Sequence, residues 1–404
     1  MLTSPNYSRK LDMSPADLIF IHPLLGADDS WSGYRVEFAT GDADPKILAD
    51  LCASPLLNKF DHRHPWFIPA LPGSSAKCPL GARAVTVFPA QPAAAEAEAL
   101  AQLEASLRQA RRKLGLIASP DGKLPSPGSW GYLLISTSHA RTLPRFAMHG
   151  LSSHTILVAT EVPNHNDRNW VLEHACSLSS GEYLLARAGA GGKADMTRVH
   201  LLELLALITQ DADTEALEEI FRQESKLSYS LLRLVNSAAI APRSPITSFA
   251  QAIDLLGRRQ LQRWLQLLVY ADPNNGLHPN PLLQKAAARG HLLELLATSL
   301  KPRPAAENLE DAAFMIGTFS LLNVLLNMSM REILQQLPLS DLVRTALAEY
   351  GGPLGQLLRA LDSADQRDLT KAAQSLAELG VDGDTFVKAQ LEALSWAAKI
   401  RPTV

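Results

Sequence analysis

A change of texture near residue 190 limits this chain more than any other feature. Before it, short runs rich in β-branched and aromatic residues recur between Pro and Gly breaks: "LIFIHPLL" at 18–25, "GYRVEF" at 33–38, "PWFIPAL" at 65–71, "RAVTVFPA" at 83–90, "GYLLIST" at 131–137 and "HTILVAT" at 154–160. Runs of that length and composition read as short buried strands. The segment "AAAEAEALAQLEASLRQARRKLG" (93–115) reads as an amphipathic helix closed by Gly115. From Thr197 onward the apolar spacing is helical almost to the end. The pattern therefore predicts an α/β domain followed by an all-α bundle, and 404 residues suffice for two cores. The Gly/Ala tract at 186–197 carries no core face, which sets the domains at 1–190 and 197–404 with a linker at 191–196. Helices between most of the strands are weakly marked, so the expected barrel is small or eroded.

Charge and motifs exclude several classes. A net charge of −3 gives no overall field for nucleic acid or acidic membrane. Cys52, Cys78 and Cys176 contain no C-x-x-C pair, so neither a zinc knuckle nor a disulfide framework is indicated. No apolar run approaches the ~20 residues that span a bilayer, and a cytoplasmic protein is expected. No phosphate loop, dinucleotide fingerprint or nucleophile elbow occurs.

The most informative stretch is the polar corner in "SYSLLRLVNSAAIAPRSPITSFAQAIDLLG" (228–257). Phe249, Ala252, Ile253 and Leu256 fall on one helix face, with Ser248 and Gln251 spaced as a capping box and Gly257 placed to end the helix. Upstream, the face of Leu231, Leu232 and Val235 ends at Asn236, a residue suited to capping carbonyls.

In combination, "LLRLVNSA…ITSFAQAIDLLG", "AAFMIGTFSLLNVLLN" (312–327), "ILQQLPLS" (333–340) and "VRTALAEYGGPLGQLL" (343–358) resemble the HDOD domain, an all-helical relative of the metal-dependent HD phosphohydrolases. "ARGHLLELLA" (288–297) fits the same pattern. In the first half, "DLIFIHPLLGADDSWSGYRVEF" (17–38) and "TILVATEVPNHNDRNWVLEHACSLSSGEYLL" (155–185) resemble the opening and closing segments of EAL domains, barrels that hydrolyse cyclic di-GMP. The whole chain resembles the EAL–HDOD two-domain regulators. A degenerate EAL-like, TIM-barrel-derived α/β domain followed by an all-α HDOD bundle is the fold that this implies.

An EAL phosphodiesterase holds two divalent cations on carboxylates. Carried onto this sequence, the ligand positions fall on Arg35, on Leu134 and Ser136, and on Thr160 and Pro163, with Glu37 and Glu161 nearby. An HD hydrolase needs a His-Asp dipeptide, and none occurs; His291, with Glu294 three residues on, stands without a second His ligand. The expectation is thus a chain that is not an enzyme and needs no metal or other cofactor. It would be a signal-transduction protein whose helical module is an output or interaction domain and whose barrel is an inactive sensor or docking shell. Candidate interaction residues are Asn236, Ser237, Thr247, Ser248, Arg258, Arg259 and Trp264, with Asn236 and Ser237 exposed to a partner. Candidate pocket-rim residues are Arg35, Glu37, Glu161, Asn164, His165 and Asp167. Partners would be other signalling proteins, with cyclic di-GMP bound weakly or not at all, no membrane, no nucleic acid, and a homodimer allowed. The alternative is a residual metal-dependent phosphodiesterase or phosphohydrolase on a cyclic dinucleotide or nucleotide, drawing ligands from Glu37, Glu161, Asp121, His62 and His64.

Overall fold

The computed structural model describes residues 18–40, 43–187, 206, 225–237, 240, 242–270, 280–306 and 308–400. The expected linker at 191–196 lies outside them.

The first part is a closed barrel of eight strands in sequential order. They are β1 Ile19–Leu25, β2 Trp31–Phe38, β3 Trp66–Pro69, β4 Ala84–Pro89, β5 Lys113–Ile117, β6 Tyr132–Ser136, β7 Ile156–Thr160 and β8 Cys176–Ser179. Strand β1 runs antiparallel to both neighbours, and all the other pairings are parallel. The barrel is complete rather than eroded. Its register stacks Leu24, Phe67, Val85, Val87, Tyr132, Leu134, Val158 and Leu178 into one buried interior cluster. Between the strands lie α1 Pro45–Ala53, α2 Ala97–Gln109, α3 Thr137–Thr142, α4 Arg145–Ser152 and α5 His165–Glu173.

The helix expected over 93–115 stops earlier than its sequence suggests. Gly115 lies within β5, opposite Val87 and Tyr132. A Cβ there would stand 3.3 Å from Val87 Cγ2 and 3.4 Å from Val85 Cγ1, so the glycine relieves crowding in the barrel instead of ending a helix.

The second part, among the described residues, is helical: α6 Ser225–Val235, α7 Phe249–Leu268, α8 Pro281–Ala297, α9 Leu309–Phe319, α10 Leu322–Leu325, α11 Met330–Gln336, α12 Asp341–Glu349, α13 Gly352–Asp365, α14 Leu369–Glu378 and α15 Gly383–Ala397. Starts are marked as the chemistry of free N–H groups requires. Asn280, Ser340, Asp368 and Asp382 cap α8, α12, α14 and α15, and Ser329 with Glu332 forms a full capping box at α11. Gly257 interrupts α7 at φ +72°, as its position in the sequence suggests. The tightest crossing is α8 on α9, where Gly317 faces the Gly290 backbone: a Cβ on Gly317 would lie 2.6 Å from both Arg289 O and Gly290 Cα.

Buried charge anchors this core. Arg289 on α8 pairs with Asp362 at 2.8 Å and with Asp365 on α13, and Lys285 adds a 2.7 Å bond to Asp365. Burial opposes the Arg289 charge, but the two aspartates outweigh it and hold the guanidinium firmly protonated.

The two parts meet along β1. Only Leu25 of that strand pairs with β8, so the backbone nearer its start has an open edge. Gln390 on α15 covers it: Ile21 N–H donates to Gln390 Oε1 at 3.0 Å, and Gln390 Nε2 donates to Ile19 O at 2.8 Å. Phe20 packs edge-on against Phe386 at 5.4 Å, and Thr370 Oγ1 donates to Ala39 O at 2.9 Å. No single helix among the described residues is long and apolar enough to cross a membrane.

Candidate functional site at the barrel mouth

Strand register decides which side chains look into the barrel. Arg35 pairs with Phe67 and with His22, and Glu37 lies two residues further on, so both share the face of the interior cluster at the end where β2 finishes. Ser136 and Thr160 are partners in the β6–β7 ladder, two residues beyond Leu134 and Val158, and reach the same mouth. Glu182 follows β8, and its Oε2 accepts from Val162 N–H at 3.3 Å. Four positions matched to EAL ligands, Arg35, Leu134, Ser136 and Thr160, thus share the inward face. They carry a cation, an alkyl group and two hydroxyls.

The mouth is a charge network. Arg35 bonds Glu37 Oε1 at 2.9 Å. Arg367, from the turn between α13 and α14, bonds Glu37 Oε2 and approaches Glu182 at 3.9 Å. Burial works against the Glu37 charge, yet Arg35 and Arg367 together prevail and hold its carboxyl below the usual range. His22 Nε2 lies 3.9 Å from Glu37, and burial, then Arg367, lower its imidazole to about 4. Arg367 in this network and Glu161, just past β7, have left-handed backbones, at φ +69° and φ +54°. Non-glycine residues persist there only where their surroundings hold them, often at functional sites.

The remaining rim candidates serve a helix start. Asn164 caps α5, accepting from Asp167 N–H at 2.9 Å and donating to Asp167 Oδ2 at 2.8 Å; Arg141 Nε donates to Asp167 at 2.9 Å. His165 lies against the Tyr183 ring at 5.2 Å. Glu161 and Asp121 are exposed. His62 and His64 flank Asp61, each at 4.0 Å, but they sit in a turn rather than a strand, with His62 pointing to solvent. Among the described residues no group of three or more His, Cys, Asp or Glu side chains could hold a metal ion.

In the helical part, the expected interaction corner is divided, with Thr247, Ser248 and Arg259 exposed and Ser237 and Trp264 buried. Ser237 is completely buried, which corrects its reading as an exposed contact. Asn236 is partly buried and fully engaged: Nδ2 donates to Leu232 O and Ile246 O, and Oδ1 accepts from Ile246 N–H, all at 2.7 Å. The amide thus ties the end of α6 to the strap before α7. Ser248 Oγ caps α7 through Gln251 N–H at 3.2 Å, and Gln251 Oε1 reaches back to Thr247 rather than to Ser248 N–H. Arg259 pairs with Asp311 and Glu310, while Arg263 bonds Glu294 at 2.6 Å and Asp311 at 2.7 Å. Trp264 is buried. The side chain of Arg258 lies outside the described residues. Acids answer Arg259 and Arg263, so no basic footprint arises from them.

A family model for the HDOD domain matches residues 198–300. The chain carries an HDOD domain. With an eight-stranded barrel ahead of it, the order of an α/β part and then an HDOD part is the one expected. Over 190 residues the chain is 34% identical to the cyclic di-GMP phosphodiesterase CdgJ of Vibrio cholerae, covering 47% of this chain and 43% of that protein. Over 195 residues it is 30% identical to the uncharacterized protein YuxH of Bacillus subtilis, covering 47% and 45%. The chain spans less than half the length of these curated relatives. The solved structure of the Bacillus subtilis YkuI protein, with an EAL domain and bound to cyclic di-GMP and calcium, aligns at a TM-score of 0.32 and 13% identity over 60% of this chain and 75% of that one. That a relative 34% identical to this chain is named a phosphodiesterase overturns the expectation that the chain is not an enzyme.

Proposed function

We propose that the chain works in cyclic di-GMP signalling as a phosphodiesterase-class protein, with the barrel mouth as the seat for the cyclic dinucleotide. The name of the Vibrio cholerae relative supports the substrate and the activity. The observation that supports the location is the meeting of Arg35 and Arg367 on Glu37 at the mouth. Two guanidinium groups that meet on one carboxylate are suited to the paired oxygens of a phosphodiester.

The two-cation site of EAL enzymes does not fit these residues. Glu37 is already claimed by two arginines, and Ser136 and Thr160 stand where further acids would be needed. The chain's own groups suggest a different division of labour: Arg35 and Arg367 hold the phosphate, and Glu182 or Glu161 offers a carboxylate to orient water. Because Arg367 belongs to the helical part, a phosphate at the mouth competes with Glu37 for it and so reports occupancy to α13 and α14. That link is our reading of how the helical module acts as an output towards a signalling protein.

The test is to incubate the full chain with cyclic di-GMP, measure binding by calorimetry, and follow the linear dinucleotide by chromatography with and without Mg2+ or Mn2+. The expected result is binding that weakens at least about tenfold in Arg35→Ala and Arg367→Ala, with slow appearance of the linear product. Absence of binding in the wild type would overturn the proposal.

A further inference from the structure

Cys52 and Cys78 belong to no local motif, yet folding places both on the wall of one cavity of about 450 Å³. Cys52 lies on α1 and is buried; Cys78 lies in the connection from β3 to β4 and is partly exposed; both are free thiols. Within that cavity each thiol is the largest influence on the other's acidity. Lys46, Lys77 and Arg112 line the same cavity, with Asp44 as the acid at its edge. Arg112 Nε is buried and has no hydrogen-bond partner among the described residues.

These surroundings make the two thiols unequal. The neighbouring Cys52, then the Leu80 N–H and the Arg112 charge, outweigh burial and lower the Cys78 thiol. The neighbouring Cys78, reinforced by burial, pushes the Cys52 thiol up. A thiolate in an accessible, electropositive cavity beside a protonated thiol is the arrangement of a reactive and a resolving cysteine. Cys176 is the contrast, since burial raises its thiol and its neighbourhood contains no second cysteine.

We propose that Cys78 and Cys52 form a peroxide-reactive modification site, separate from the barrel mouth. The Cys78 thiolate attacks hydrogen peroxide, an S–O bond forms as the O–O bond breaks, and the departing hydroxide takes a proton and leaves as water. Sulfur is oxidised by two electrons and the peroxide is reduced. Cys52 then attacks the sulfenic sulfur: the S–S bond forms, the S–O bond breaks, and the Cys52 proton leaves with the hydroxide as a second water. The product ties α1 to the β3–β4 connection across the cavity.

The experiment treats the intact full chain with dilute hydrogen peroxide, blocks free thiols by alkylation, and maps peptides without reduction. The expected result is a 52–78 cross-linked peptide, with Cys78 consumed at least about tenfold faster than Cys176; that comparison needs no substitution. In Cys52→Ser, Cys78 is expected to accumulate sulfenic acid, trapped by dimedone, and in Arg112→Ala its oxidation slows several-fold. Recovery of Cys52 and Cys78 as reduced thiols, or oxidation of Cys176 at the same rate, would overturn the proposal.

Discussion

Gln390 treats Ile21 as a neighbouring strand would, accepting its N–H at 3.0 Å while its own amide donates to the carbonyl two residues back. A side chain from the last helix thus completes the ladder that β8 leaves unfinished. In Gln390→Ala both backbone groups lose their partner in a buried site, each a loss of about 1–3 kcal/mol. We expect a destabilisation of about 2–4 kcal/mol in urea unfolding, with Gln390→Glu intermediate because it keeps only the acceptor. A change below about 0.5 kcal/mol in Gln390→Ala would mean that water serves this edge equally well.

Gly317→Ala should be among the most damaging small substitutions in the chain. The added methyl meets backbone on α8 at 2.6 Å, which no rotamer relieves. We expect a loss of about 2–3 kcal/mol, read as a lower thermal midpoint. Gly150→Ala on α4 is the control, since nothing lies within 4 Å of its Cβ, and it should be neutral or slightly stabilising.

Asn236→Ala tests whether the polar corner is a clasp or a contact surface. It removes three 2.7 Å bonds and leaves Ile246 without partners for its N–H and C=O. About 2 kcal/mol or more should be lost, visible as faster amide exchange across the end of α6. Unchanged exchange would return the residue to the list of partner contacts.

Acid should loosen the junction through His22. Its imidazole titrates near 4 in the folded chain and near 6.5 when unfolded, so between those values the unfolded state binds more protons. The His22 contribution is therefore fully present above pH 6.5 and lost as pH falls towards 4, a span on the order of 3 kcal/mol. The measurement is unfolding free energy against pH, with His22→Gln expected to flatten the slope in that window.

Much of this fold can be read from local composition. The runs at 18–25, 33–38, 65–71, 83–90, 131–137 and 154–160 all became strands, because β-branched and aromatic residues announce a buried pleat. The two remaining strands carry no such signal. Lys113–Ile117 follows a strong helix and contains Gly115, and "CSLS" at 176–179 is small and polar. The site was only half legible. Arg35 and Glu37 could be found because they are close in sequence on one strand face, but Arg367 lies in the polar turn "DQRDL", where nothing local points to a barrel mouth. Cys52 and Cys78 escaped for the same reason, since their meeting depends on tertiary folding alone. At Asn236 and Ser237, polarity was mistaken for exposure, when the buried strap needed an amide to satisfy it.

Arg367 holds its post in a left-handed backbone at φ +69°, a conformation that disfavours side chains by roughly 1–2 kcal/mol per residue. Glycine would sit there without strain and make a more restful turn. The turn itself keeps the arginine there, since Arg367 N–H donates to Ala364 O at 3.0 Å and Asp368 N–H to Ser363 O at 2.9 Å, so the end of α13 works as a fixed bracket that carries a cation from the helical part to Glu37 on the barrel.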